Sequence, residues 1–209
     1  MNRPWYNIMK VGVMASGRGS NFQALIDASQ KGLMPNVELE ILIVNKKDAY
    51  AIKRAEENNI EYKIITSDDK TREEFDQSVL KILKENEIEV VVLAGFMRLL
   101  TPEFIESYRN KILNIHPSLL PLFPGAHAHR DAITHGAKIS GCTAHFVDEG
   151  IDTGPIIMQR SVDIEDDETE ETLSEKILPH EHEILPKALQ LLCSGKIIIH
   201  SRDVEILPD

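Results

Sequence analysis

Short apolar runs alternate with amphipathic stretches through the first half of the chain, and no other feature narrows the possible folds as far. Runs at 10–15, 40–44, 62–65 and 90–94 read as strands. The segments between them carry helical spacing, and this alternation points to a parallel sheet with helices on its faces. The 90–94 run (VVVLA) is apolar throughout, as expected of a strand covered on both sides in the middle of a sheet. Helices are expected at 22–31, where Gly32 stops the turn, and at 49–58. Another starts after Thr71, which with Glu74 makes a capping box ahead of Phe75, Val79, Ile82 and Leu83. Thr101-Pro102 opens a fourth, with proline at the first helical position. A strand at 112–115 follows. Beyond the prolines at 117, 121 and 124 the pattern changes. A short helix at 130–135, strands at 140–147 and 155–162, a long helix at 172–194 made irregular by Pro179, and a hairpin from 197–200 and 204–207 complete the reading. The expected fold is one α/β domain: a Rossmann-like, doubly wound, mostly parallel sheet that continues into a mixed C-terminal part.

The net charge of −11 argues against a dedicated nucleic-acid binder, which would show a basic face. It leaves room for a phosphorylated small molecule, because a few local donors hold a phosphate whatever the net charge. No apolar run reaches the roughly 18 residues that a membrane span needs. Residues 1–6 lack the apolar centre of a signal peptide, so a cytoplasmic protein is expected. Cys142 and Cys193 stand apart, in no CxxC, and read as buried thiols in a reducing compartment. Monomer and homodimer are both open.

Three places carry residues suited to chemistry. In 113–121 (LNIHPSLLP), Asn114 and His116 sit at i and i+2 near a strand end, so both side chains point to one face. An amide that holds a developing oxyanion beside a ring that moves a proton is what acyl-group chemistry uses. The plainer alternative is a buried strand end with His116 as a satisfied core histidine. In 16–21 (SGRGSN), the glycines fit neither GxGxxG nor a P-loop. What remains is a strand–helix turn whose N–H groups at Gly19, Ser20 and Asn21, with the Ser20 hydroxyl, would hold one phosphate. It serves equally as a plain turn with Ser20 or Asn21 as N-cap. In 148–155 (DEGIDTGP), glycines and a proline around Asp152 suggest a loop that aims a carboxylate. Facing His116, it would stabilise the imidazolium; otherwise it is a surface turn. The eight histidines show neither HExxH nor a Cys/His zinc pattern, and no metal is expected.

Together these segments, with 91–100 (VVLAGFMRLL), His145-Phe-Val-Asp148 and Glu181-His182, resemble the phosphoribosylglycinamide formyltransferases in order and spacing. The resemblance covers about 9–196. It implies a single domain over 1–209, with a phosphate-binding half at about 9–110 and a catalytic, folate-binding half at about 111–209. It implies transfer of a formyl group from 10-formyltetrahydrofolate to the amine of glycinamide ribonucleotide, a step of purine synthesis. Asn114 would hold the formyl oxygen, His116 would move the proton, and Asp152 would pair with it. Gly19, Ser20 and Asn21 match residues that hold the substrate phosphate, and Glu181 matches a residue on the ribose hydroxyls. Arg72, Met97, Arg98, Leu99 and Leu100, with Asn114, match folate positions, although Phe96, Met97 and Leu99 also read as core. The partners implied are these two small molecules, with neither nucleic acid nor membrane. Leu178 stands where some relatives carry a polar residue, and residues 2–6 and the His180/His182 pair have no assigned role. The runner-up is a 10-formyltetrahydrofolate hydrolase, which shares the Asn-His-Asp set but carries a further N-terminal domain. A transfer-RNA formyltransferase, a non-catalytic folate- or phosphosugar-binding module and a dinucleotide oxidoreductase fit less well.

Overall fold

A computed structural model describes residues 8–68 and 70–208. Residues 2–6, which have no assigned role, lie outside the described residues. Seven strands form one sheet: β1 (Met9–Ala15), β2 (Val37–Val44), β3 (Glu61–Ile64), β4 (Val90–Leu93), β5 (Ile112–His116), β6 (Ile139–Phe146) and β7 (Ile156–Asp163). Their order is β3-β2-β1-β4-β5-β6-β7. The first five run parallel, and β6 and β7 are antiparallel additions. The chain winds outward from β1 to β3, then returns to place β4 on the other side of β1. This reversal opens a crevice above the carboxyl ends of β1 and β4, where ligands bind in folds of this kind.

Alternation along the strands feeds a core on each face. Val11, Val13, Leu42, Val44, Val90 and Val92 point to one side. There they meet Phe22 and Leu25 of α1 (Ser20–Gln30), Ala51 and Ala55 of α2 (Ala51–Glu57), Ala132 of α5 (Ala128–Thr134), and Ile177, Ile184 and Leu189 of α6 (Glu170–Cys193). Met14, Ile41, Ile43, Val91 and Ile112 point to the other, against α3 (Arg72–Glu85) and α4 (Pro102–Ser107). Each fully buried Leu, Ile or Phe among them contributes roughly 1.5–3 kcal/mol. Asn114 and His116 share the face of Ile112, so β5 ends by turning two polar side chains out of an apolar row.

Most boundaries fall within two or three residues of expectation. The Thr71/Glu74 capping box is present in full. Three readings need correction. The N-cap of α1 is neither Ser20 nor Asn21 but Gly19, at φ 67. A side chain there would meet Ala51 Cβ at 2.7 Å, so only glycine lets the turn lie against α2. The long helix begins at Glu170, two residues early, because Thr169 and Thr172 form a second capping box. It also runs unbroken through Pro179 and Pro186, which forgo the bonds their missing N–H groups would have made. The terminal hairpin consists of β8 (Ile197–His200) and β9 (Asp203–Ile206).

Candidate active site

The loops leaving β1 and β4 are tied together at the crevice. Met97 N donates to Ser16 Oγ at 2.8 Å, and Ser16 N donates to Gly95 O at 3.2 Å. The glycine turn is in turn lashed to α2, with Ala51 N on Gly17 O and Arg54 Nε on Arg18 O at 2.9 Å. Because Gly19 takes the cap, Ser20 and Asn21 are free to face elsewhere. Ser20 lines a cavity of about 310 Å³ with Gln23, Asp27, Arg54 and His182. Asn21 points inward, where its Nδ2 donates to Glu181 Oε2 at 2.7 Å, joining α1 to α6 across 160 residues. Burial pushes the Glu181 carboxyl above its ordinary pKa, with the Asn21 hydrogen bond opposing the shift. Asn21 Oδ1 and His182 Nε2 are buried without a partner. Buried polar atoms are rarely left so, and these two mark an end of the site with hydrogen-bonding capacity to spare.

The second cluster forms where β5 meets β6. Register sets Asn114 directly opposite His145. His145 Nδ1 meets the Phe146 carbonyl at 2.7 Å and so carries the ring hydrogen. Its Nε2 is then the acceptor for Asn114 Nδ2 at 3.1 Å. Burial pushes the His145 pKa down, against the pull of that carbonyl and of Asp152, which keeps the ring neutral. His116 Nε2 donates to Phe123 O at 2.9 Å, and its Nδ1 lies 3.4 Å from Asp152 Oδ2. A proton on either ring nitrogen therefore faces an acceptor. The Phe123 carbonyl is held in place because its loop is pinned to β6, with Thr143 Oγ1 donating to Ser118 O and accepting from Leu120 N.

Asp152 adopts φ 53, a left-handed conformation uncommon outside glycine. Its Oδ2 accepts from Gly125 N at 2.8 Å, and its Oδ1 lies 3.4 Å from Asn114 Nδ2. Asn114, His116, His145 and Asp152 thus form one connected polar group on the wall of a cavity of about 470 Å³. Leu93, Leu100, Ile105 and Val147 make much of the remaining wall, and Arg72 and Arg98 line it as well. Arg98 lies over the Phe75 ring at 4.5 Å.

Of the residues singled out from the sequence, Arg72, Met97, Arg98, Leu99, Leu100, Asn114, His116 and Asp152 all line this larger cavity. Met97 and Leu99 are 70% and 55% exposed, so they are wall rather than core. Gly19, Ser20, Asn21 and Glu181 gather at the α1 end, apart from it. The sequence reading missed His145 as a partner of Asn114, as well as the backbone groups of Phe123 and Gly125. Only strand register, which local pattern does not reveal, puts His145 there. Among the described residues no group of three or more His, Cys, Asp or Glu is placed to hold a metal ion, and no helix is long and apolar enough to cross a membrane.

Comparison with known proteins gives a consistent picture. The family described as Formyl transferase matches residues 9–189. The phosphoribosylglycinamide formyltransferase of Escherichia coli is 36% identical over 193 residues, 92% of this chain and 91% of that protein. The human trifunctional purine biosynthetic protein adenosine-3 is 44% identical over 191 residues. That match takes in 90% of this chain but only 19% of the human protein, so the chain spans about a fifth of that relative. A glycinamide ribonucleotide transformylase 1 structure from Symbiobacterium toebii superposes with a TM-score of 0.95 at 38% identity, over 99% of both chains.

Proposed function

The chain belongs to the formyl transferase family, among the phosphoribosylglycinamide formyltransferases, and on that premise we propose that it moves a formyl group from 10-formyltetrahydrofolate to the amine of glycinamide ribonucleotide. The observation that carries this reading is the connected group Asn114–His145–Asp152–His116 on the wall of one cavity, with the glycine turn at the end of β1, across β4 from it.

Each part has a role that follows from its chemistry. The Asn114 amide exchanges its long 3.4 Å contact to Asp152 for the formyl oxygen, which it meets with the His116 ring as charge grows there during attack by the amine. His116 supplies and relays the proton that the departing folate nitrogen takes up, and Asp152 holds the ring in line while it does so. Neutral His145 orients the Asn114 amide. The largely apolar wall, with Arg72 and Arg98, suits a flat aromatic donor with an acidic tail. At the other end, the N–H groups of the first α1 turn and the Ser20 hydroxyl take the phosphate, and Glu181 with Asn21 takes the ribose hydroxyls. The two ends are joined through Ser16, so the amine of a ribonucleotide held by its phosphate is directed toward the β5 corner.

The test is folate-product formation from a 10-formyl donor, with and without glycinamide ribonucleotide. Turnover that requires the amine, with the formyl group recovered on the nucleotide, is the expected result. Equal rates with formate released in both would make the protein a hydrolase, and no turnover in either would leave it a binding module.

A further inference from the structure

Loop 147–154 brings Asp152 to the site as a stapled unit. Asp148 Oδ1 accepts from Gly150 N at 3.1 Å and from Thr153 Oγ1 at 2.5 Å, which ties the two ends of the turn together. At Gly154 an added Cβ would lie 1.9 Å from Phe146 O, so the chain leaves the turn pressed against β6. Internal staples fix the shape of this unit but not its attitude toward His116. Two arginines from outside grip it. Arg109, after α4, reaches Glu149 Oε1 at 2.6 Å. Arg202, at the tip of the β8–β9 hairpin, donates from Nη2 to Thr153 O at 2.8 Å.

The second grip lies closer to the chemistry, because Thr153 directly follows Asp152. A residue at φ 53 is in a conformation that its surroundings must hold, and a charged donor on the next carbonyl restrains that stretch of backbone. The hairpin is a firm base for it. Ile197, Ile199 and Val204 pack on the larger core, and Leu207 N bonds to Lys196 O at 2.9 Å across its open end. Its two-residue turn carries Ser201 at φ 59 and projects Arg202 toward the loop. Arg202 is not among the residues lining the cavity, so any effect it has on the reaction passes through the loop.

We propose that Arg202 is a positioning residue: from the terminal hairpin it fixes the Thr153 carbonyl and so the aim of the Asp152 carboxylate at His116 and Asn114. The inference rests on the catalytic reading of Asp152 given above. Without the grip the loop spends less of its time with Asp152 in the competent orientation, and turnover falls by that fraction.

The experiment measures kcat and KM for Arg202→Ala and Arg202→Lys, each alone and combined with Asp152→Asn. Arg202→Ala is expected to lose on the order of tenfold in kcat with little change in KM for the ribonucleotide. Its melting temperature should stay within about 2 °C of the parent, as for an ordinary surface change. Arg202→Lys, whose ammonium can still donate to the carbonyl, should recover most of the loss. In the Asp152→Asn background, Arg202→Ala should cost nothing further, because the group it positions is gone. Unchanged kcat in Arg202→Ala, or the same fold loss in both backgrounds, would overturn the proposal. Parental turnover in Asp152→Asn alone would strike at the reading of Asp152 itself, and the proposal would fall with it.

Discussion

The β5 corner and the mouth of α1 are built on opposite terms. At the corner, Asn114, His116, His145 and Asp152 all find partners within the protein, with Gly125 N and Phe123 O completing the set. At the mouth of α1, Asn21 Oδ1 and His182 Nε2 are buried and unpaired, beside a carboxyl whose burial disfavours its charge. The first region is held in place by bonds within the protein, which fixes the orientation of Asn114 and His116 before substrate arrives. The second holds donors and acceptors in reserve, which is how a site recognises a polar ligand. The contrast implies that substitutions at the corner act on turnover and those at the α1 mouth on binding.

The largest effects are expected at the corner. His116→Ala and Asp152→Ala should each lower kcat by roughly 10²–10⁴-fold, while calorimetric titration of the phosphorylated substrate shows affinity within a few-fold of the parent. Near-parental turnover in either variant would sink the catalytic assignment. A middle-sized effect of the opposite kind is expected at α1. Glu181→Gln keeps the side chain's shape but weakens its bond to Asn21 and to any hydroxyl, so steady-state kinetics should show KM for the ribonucleotide rising about tenfold with kcat near the parent's. A fall in kcat with unchanged KM would erase the distinction between the two regions.

The smallest effect concerns stability and pH. Burial holds the His145 pKa below its ordinary value of 6.5, so the unfolded chain takes up a proton before the folded one does. Its contribution to stability is complete above 6.5 and is lost as pH falls from there through the depressed value. The denaturant midpoint should therefore drop as pH is lowered from 7 toward 5, and His145→Gln should flatten that slope. His129 and His182, also lowered mainly by burial, add to the slope, and Glu181, raised by burial, opposes it. A slope unchanged by His145→Gln would show that His145 does not set it.

What was legible in the sequence was what local chemistry decides. The period-two pattern of β5 put Asn114 and His116 on one face, and the Thr71/Glu74 box marked the start of α3, because both are settled within a few residues. Ser20 as N-cap failed for the converse reason. Serine is a good cap in isolation, but contact with Ala51 imposes glycine at the cap and frees Ser20 for the cavity. His145 was visible only as one histidine among eight, since its pairing with Asn114 is a matter of strand register. The glycines flanking Asp152 mark a defined loop but read as well as a surface turn, and only the family resemblance pairs Asp152 with His116. The Gly125 N–H that bonds the Asp152 carboxylate comes from a loop whose course depends on Thr143, well inside another strand.

The bond from Asn21 to Glu181 joins residues 160 apart in a chain of 209. During synthesis β1, the glycine turn and α1 emerge well before α6, so their far partner is made much later. Until α6 has been translated and docked, the nascent chain has no Glu181 for Asn21 to meet, and the core that Phe22 and Leu25 share with Ile177, Ile184 and Leu189 is incomplete. Such a long-range closure is slow to form and leaves early segments exposed while they wait. On the proposed function, capture of the ribonucleotide therefore reports on whether α6 has docked: an intermediate that still lacks α6 is silent.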